Sequence, residues 1–119
     1  MWLCFEGKGF GFFYDIEQIT AFADYRVPQV LNYFGVIEYS KDLTTRILNG
    51  EEIANGSELE VEIRAATISA VHNIVKFMKS KNAKWNSILV DNFLWYYRRS
   101  HANEIDAKVP MHRTRCIYY

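Results

Sequence analysis

Apolar residues recur along the chain at three- and four-residue steps, and this period predicts a series of helices. The densest stretch is Ser87-Ile-Leu-Val-Asp-Asn-Phe-Leu-Trp-Tyr-Tyr97. It reads as a helix that is apolar on every side, and such a helix belongs in the middle of a fold. A longer helix is predicted to open at Gly56-Ser57 and end near 79–82. Its apolar stripe is Leu59, Ile63, Ala66, Ala70, Ile74, Phe77 and Met78. Ser40 caps a helix from Lys41 to Asn49 with Gly50 as its stop. Pro28 fits the first turn of a helix that Gly35 ends. Asp15 is a candidate N-cap for a short helix from Ile16 to about Ala23. Residues 103–108 read as a polar loop. Pro110 to Tyr119 reads as a tail that forms one short strand or packs down. The expected class is all-α, helices joined by short turns, with that C-terminal segment as its only strand candidate.

The 119 residues fit one domain. Half of them are hydrophobic and 16 % are aromatic, which calls for a fully buried helical core or a face awaiting a partner. Formal net charge is zero, so the basic footprint of a duplex-binding protein is missing and no direct DNA partner is expected. Cys4 and Cys116 stand at opposite ends without metal-ligand spacing. They read as thiols of a reducing, cytoplasmic compartment. No apolar run reaches membrane-spanning length, and Met1 to Gly11 lacks the basic start of a signal peptide, so no membrane partner is expected. The glycines of 7–11 have GxG spacing but no preceding strand, which argues against a dinucleotide loop. His72 and His101 lack a second ligand at suitable spacing, so neither a metal nor a cofactor is called.

Three groups of side chains can carry chemistry. Asp91 lies in the centre of the most apolar helix, where a carboxylate is costly unless paired or hydrogen-bonded. It is either a buried Asp satisfied by a distant Arg or a backbone N–H, or a pocket carboxylate. Phe22-Ala-Asp24-Tyr25-Arg26-Val-Pro-Gln29 gathers an acid, a base, aromatics and an amide at a joint before a helix, where Asp24 can also act as a simple cap. Glu60 and Arg64 stand four apart and read as a surface ion pair, although Ile63, Ala65 and Ala66 crowd Arg64. The basic run His112-Arg-Thr-Arg115 is either a phosphate seat or a solvated tail. A carboxylate against the C1′ of a ribose can stabilise an oxocarbenium-like transition state or attack it. A second carboxylate can accept N–H bonds from the edge of a guanine-like base, with Phe22, Tyr25 or Trp95 to stack on the ring.

The run from Phe13 to Gln29 resembles the queuosine salvage protein family. So do Glu38-Tyr-Ser40, Val61-Glu-Ile-Arg64, Asp91-Asn-Phe-Leu-Trp95 and the closing His112-Arg-Thr-Arg-Cys-Ile-Tyr-Tyr119. These blocks follow the family's order and spacing over nearly the whole chain. Tyr96 and Ser69 depart from it, standing where the family often has an acid and a Trp.

The resemblance implies that residues 1–119 are the C-terminal part of a glycosidase domain whose N-terminal half is absent. It implies a mostly helical fold similar to that of DNA glycosylases. The implied activity is release of queuine from queuosine 5′-phosphate for reinsertion into tRNA. By the resemblance Asp91 is catalytic and Asp24 acts with it. Phe22 and Asp24 hold the base, and Tyr25, Arg26, Arg64 and Trp95 complete the substrate-binding set. The alternative is a truncated, inactive or binding-only fragment. With half the fold absent, Trp2, Phe5, Phe10, Phe12 and Phe13 are expected to lack cover, and an N-terminal half or self-association is the expected partner.

Overall fold

Several helix ends are set by local signals. In the computed structural model, which describes residues 1–117 and 119, five α-helices follow an irregular N-terminal segment. The helices are α1 (Arg26–Tyr33), α2 (Lys41–Leu48), α3 (Glu58–Lys81), α4 (Ser87–Ser100) and α5 (Ala102–Lys108). The Ser40 and Ser57 hydroxyls accept from the N–H groups of Leu43 and Glu60, and Asn86 Oδ1 accepts from Leu89 N–H. At the start of α3 the Glu60 carboxylate reaches back to Gly56 N–H at 3.1 Å, a variant of the capping box. Helices α1 and α2 both end in a Schellman turn. Gly35 and Gly50 take φ of +69° and +71°, and the next N–H, of Val36 or Glu51, donates to the carbonyl of Leu31 or Arg46.

Helix α1 is the hub. It packs on α4, α3 and α5 and is shielded by them. Val27, Val30 and Leu31 from α1 meet Val71 and Val75 from α3, Val90 and Leu94 from α4, and Ile105 from α5. A second apolar cluster joins Leu43 and Ile47 of α2 to Ile53 and Ile63. The C-terminal tail closes over this side through one parallel bridge, Glu52 to Arg113, in which Ile53 N–H donates to the Arg113 carbonyl at 2.7 Å.

Several expectations are corrected. Helix α4 is not apolar-buried all round. Val90, Leu94 and Arg98 form its inner line, whereas Phe93 and Tyr96 are exposed. The buried line of α3 is Glu60, Ile63, Thr67, Ala70, Val71 and Val75, and Ala66 and Phe77 face outward. Asp15 caps nothing, and the predicted helix shrinks to one 3₁₀ turn, Ile16–Gln18. Residues 103–108, read as a loop, belong to α5, because Ile105 is fully buried and anchors that turn. The tail makes the single bridge and no strand among the described residues; Tyr118, which the strand reading included, lies outside them. Glu60 is buried rather than on the surface, since Tyr119 Oη donates to it at 3.0 Å and Arg64 approaches at 3.5 Å.

Candidate functional site

Asp24 and Asp91 come together because α1 packs on α4. Both carboxylates line one cleft of about 400 Å³, with Phe22, Val27, Asn92, Trp95 and Tyr96 as the rest of its wall. Asp91, Asn92, Trp95 and Tyr96 are spaced so that one face of α4 supplies them all. The segment that leads into α1 supplies the opposite wall.

The Asp91 carboxylate is half-buried and accepts a hydrogen bond from Phe22 N–H at 3.0 Å. Burial pushes its pKa up to about 6. The Phe22 N–H pulls against that shift, and the negative charge of Asp24 adds to it. The backbone bond is the satisfied-carboxylate arrangement, yet Asp91 also faces open cleft. Among the described residues no cation pairs with it. Asp24 is likewise double-natured. Its Oδ1 accepts from Arg26 N–H at 2.8 Å and Val27 N–H at 3.0 Å, so it caps α1 while bordering the cleft. Phe22 stands 75 % exposed at the rim, its ring unclaimed by the core.

Of the other four predicted residues, one lines the cleft and three do not. Trp95 lines the cleft, with the guanidinium groups of Arg26 and Arg99 each 5.0 Å from its ring centre. Arg26 therefore stands next to the cleft wall without being part of it. Tyr25 turns away. Its hydroxyl donates to the Thr114 carbonyl at 2.5 Å, and its ring packs on Tyr119 (4.4 Å) and His112 (5.5 Å). It lines a separate hollow with His112, Thr114 and Arg115. Arg64 lies over the Tyr119 ring and pairs with Glu60. It borders a further hollow that Phe22 and Asp24 share.

Sequence reasoning missed Asn92 and Arg99 as neighbours of the cleft; Tyr96, singled out there as a departure from the family pattern, lines it. The i, i+4, i+8 relation of Asp91, Trp95 and Arg99 was the signal that could have found Arg99. The His112–Arg115 run does not act as one basic patch. His112 is buried and its pKa is lowered by that burial, with Glu60 and Asp24 opposing the shift. Arg115 pairs with Glu52. No group of three or more metal-ligating side chains occurs among the described residues, and no described helix is long and apolar enough to cross a membrane.

Comparison with known proteins gives this geometry a context. The chain is 46 % identical over 125 residues to a Mus musculus protein named queuosine 5′-phosphate N-glycosylase/hydrolase, covering 99 % of this chain and 37 % of that one. A Bos taurus protein of the same name is 44 % identical, with 99 % and 37 % covered. One from Sphaerobacter thermophilus is 41 % identical, with 97 % of this chain and 35 % of the relative covered. The chain thus spans little more than a third of the relatives' length. The profile of the queuosine salvage protein family matches residues 1–119, and the chain belongs to that family.

Proposed function

We propose that this chain carries the base-holding and cation-stabilising side of a queuosine 5′-phosphate N-glycosidase, which releases the base queuine. The observation that carries the reading is the Asp91 carboxylate, held by Phe22 N–H and facing a cleft that Asp24 and Phe22 share. The relatives' printed name supplies the substrate class. In the proposed reaction the bond between ribose C1′ and the base nitrogen breaks, and its electron pair leaves on the base. Water supplies the hydroxyl at C1′ and the proton that the base takes up.

Asp91, ionised above pH about 6, opposes the positive charge that develops at C1′. Two oxygens are needed for two jobs at Asp24. Oδ1 holds the start of α1, which leaves Oδ2 to accept from the guanine-like edge of the base. Phe22, exposed at the rim, offers its face to the ring. Tyr25 and Arg64 act behind this surface. Tyr25 ties the segment that carries Asp24 to the tail through Thr114, and Arg64 backs the Glu60–Tyr119 contact.

A second reading, a fragment that binds the base and does not complete a working enzyme even beside the rest of the relatives' fold, is favoured by the coverage of 37 % and by the exposed rim. One experiment separates the two. The chain is incubated with queuosine 5′-phosphate, alone and with the remaining part of a family member, and free queuine is measured by mass spectrometry. We expect no release from the chain alone and release from the mixture. Asp91→Asn should lower that release on the order of a hundredfold or more, equivalent to a few kcal/mol of barrier. Asp24→Asn keeps an oxygen for the cap, so it should leave helix stability near normal while weakening queuine binding. Near-normal turnover by Asp91→Asn would remove that residue from the mechanism.

A further inference from the structure

We propose that Arg26 and Arg99, gathered on Trp95, form the seat of the ligand's phosphate monoester; this rests on the nucleotide reading of the cleft. The two guanidinium carbons each lie 5.0 Å from the same ring centre, so they are no more than 10 Å apart. They arrive from different helices, Arg26 from the first position of α1 and Arg99 from the last turn of α4. Among the described residues neither has a carboxylate partner. Four of the other five arginines do have one, Arg113 being the exception. Arg46 pairs with Asp42, Arg64 with Glu60, Arg98 with Asp106 and Arg115 with Glu52. Two like charges drawn to one ring repel each other, and a shared dianion relieves that repulsion. Arginine suits the role because its fork meets phosphate oxygens in pairs.

The placement also fits the length of a nucleotide. Asp91, Trp95 and Arg99 succeed one another at i, i+4 and i+8 on one face of α4. Helical side chains lean toward the N-terminus, so Arg99 reaches back over Trp95, one turn from Asp91. That separation, roughly 6 Å along the axis, is on the scale of a ribose and its 5′ arm. With C1′ at Asp91, the phosphate would lie toward Trp95 and away from the two carboxylates. The two carboxylates of the cleft repel a dianion, and the arginines gathered on Trp95 beside it attract one. One ligand, cationic at C1′ as it reacts and anionic at its 5′ end, matches both.

The test is a set of titrations of the full chain by calorimetry, with the Trp95 indole signal followed by NMR and assigned through Trp95→Phe. The ligands are queuosine 5′-phosphate, queuosine, queuine, ribose 5-phosphate and ribose. The variants are Arg26→Gln and Arg99→Gln, each checked for retained helical content. We expect the wild-type chain to bind queuosine 5′-phosphate at least about tenfold more tightly than queuosine, a margin of about one decade in Kd. Each variant should lose most of that margin and bind queuine as before. Ribose 5-phosphate should move the Trp95 signal in the wild type and not in the variants, and ribose should move it in neither. A phosphate margin that is absent, or that survives both substitutions, overturns the inference while queuine binding upholds the base reading. Arginine-dependent binding of ribose 5-phosphate without queuine binding does the reverse. Binding of none of the five ligands overturns both.

Discussion

At the scale of a single residue, Asp91 shows how a half-buried carboxylate works against stability. Its carboxyl ionises with a pKa near 6 in the folded chain and near 3.8 when unfolded, because burial outweighs the one N–H bond from Phe22. Below pH 3.8 both forms are protonated and the folded state carries no penalty from this group. As pH rises from there through about 6, the unfolded chain gives up its proton first, so stability falls. Above 6 the loss is complete and constant. Asp91→Asn removes the charge and keeps the Oδ1 acceptor for Phe22. The variant should therefore melt higher than the wild type at neutral pH, with the difference fading as pH is lowered below the unfolded pKa. Thermal melts across that range check it, and a variant that melts lower at neutral pH would mean that the carboxylate is a net stabiliser. Asp91 stood out in the sequence because a lone acid in an apolar helix is a local anomaly. Its partner was not legible, since Phe22 lies 69 residues away.

At the scale of the helix, what could be read was what is encoded within four or five residues. Ser40, Ser57, Gly35 and Gly50 mark helix ends through bonds to their immediate neighbours, and the structure places them there. What escaped depends on distant packing. The buried face of α3 includes Glu60 and Thr67, polar residues that periodicity discards. Glu60 is covered by Tyr119, 59 residues on, and the buried Thr67 hydroxyl is satisfied by the Ile63 carbonyl of its own helix. Helix α5 has seven residues and a single apolar anchor, so its pattern is that of a loop. An isolated helix of this length is marginal. Ile105, with no exposed surface, holds it to α1 and α4, helped by Asp106, which receives Arg98 at 2.6 Å and Gln29 Nε2 at 2.8 Å. Ile105→Ala should cost roughly 2–5 kcal/mol, as buried Ile-to-Ala changes do. It should also free Arg98 from its place. Urea unfolding gives the magnitude, and amide exchange localised to α5 gives the site. A loss under about 1 kcal/mol would show that polar contacts alone hold the helix.

At the scale of the whole molecule, the five helices account for most of the core, and the first twenty residues lie outside its two clusters. The radius of gyration is 15.3 Å and the longest extent 47 Å. A compact chain of this length is expected near 13.5 Å, so the difference reflects a segment that lies along the core rather than within it. That segment is rich in exposed rings. Phe10 is 83 % and Phe12 69 % exposed, and Phe5, Phe13 and Tyr14 are open as well. Phe5 and Phe10 touch edge to face at 6.3 Å, a small cluster with no cover. Each large side chain left in water forgoes roughly 1.5–3 kcal/mol of burial, and a soluble chain that keeps several such groups together gains by associating. The same segment runs on to Phe22 at the cleft rim, so a partner that covered both the rings and Phe22 would also wall the cleft and exclude water from Asp91. The chain alone should therefore self-associate on size-exclusion chromatography as its concentration rises. Phe10→Ser with Phe12→Ser should reduce that association without lowering the melting point, because neither ring contributes to the core. The remaining part of a family member should suppress association by the wild-type chain and restore a defined complex. A wild-type chain that elutes as a monomer at every concentration would mean that these rings cover one another in solution and that the cleft needs no further wall.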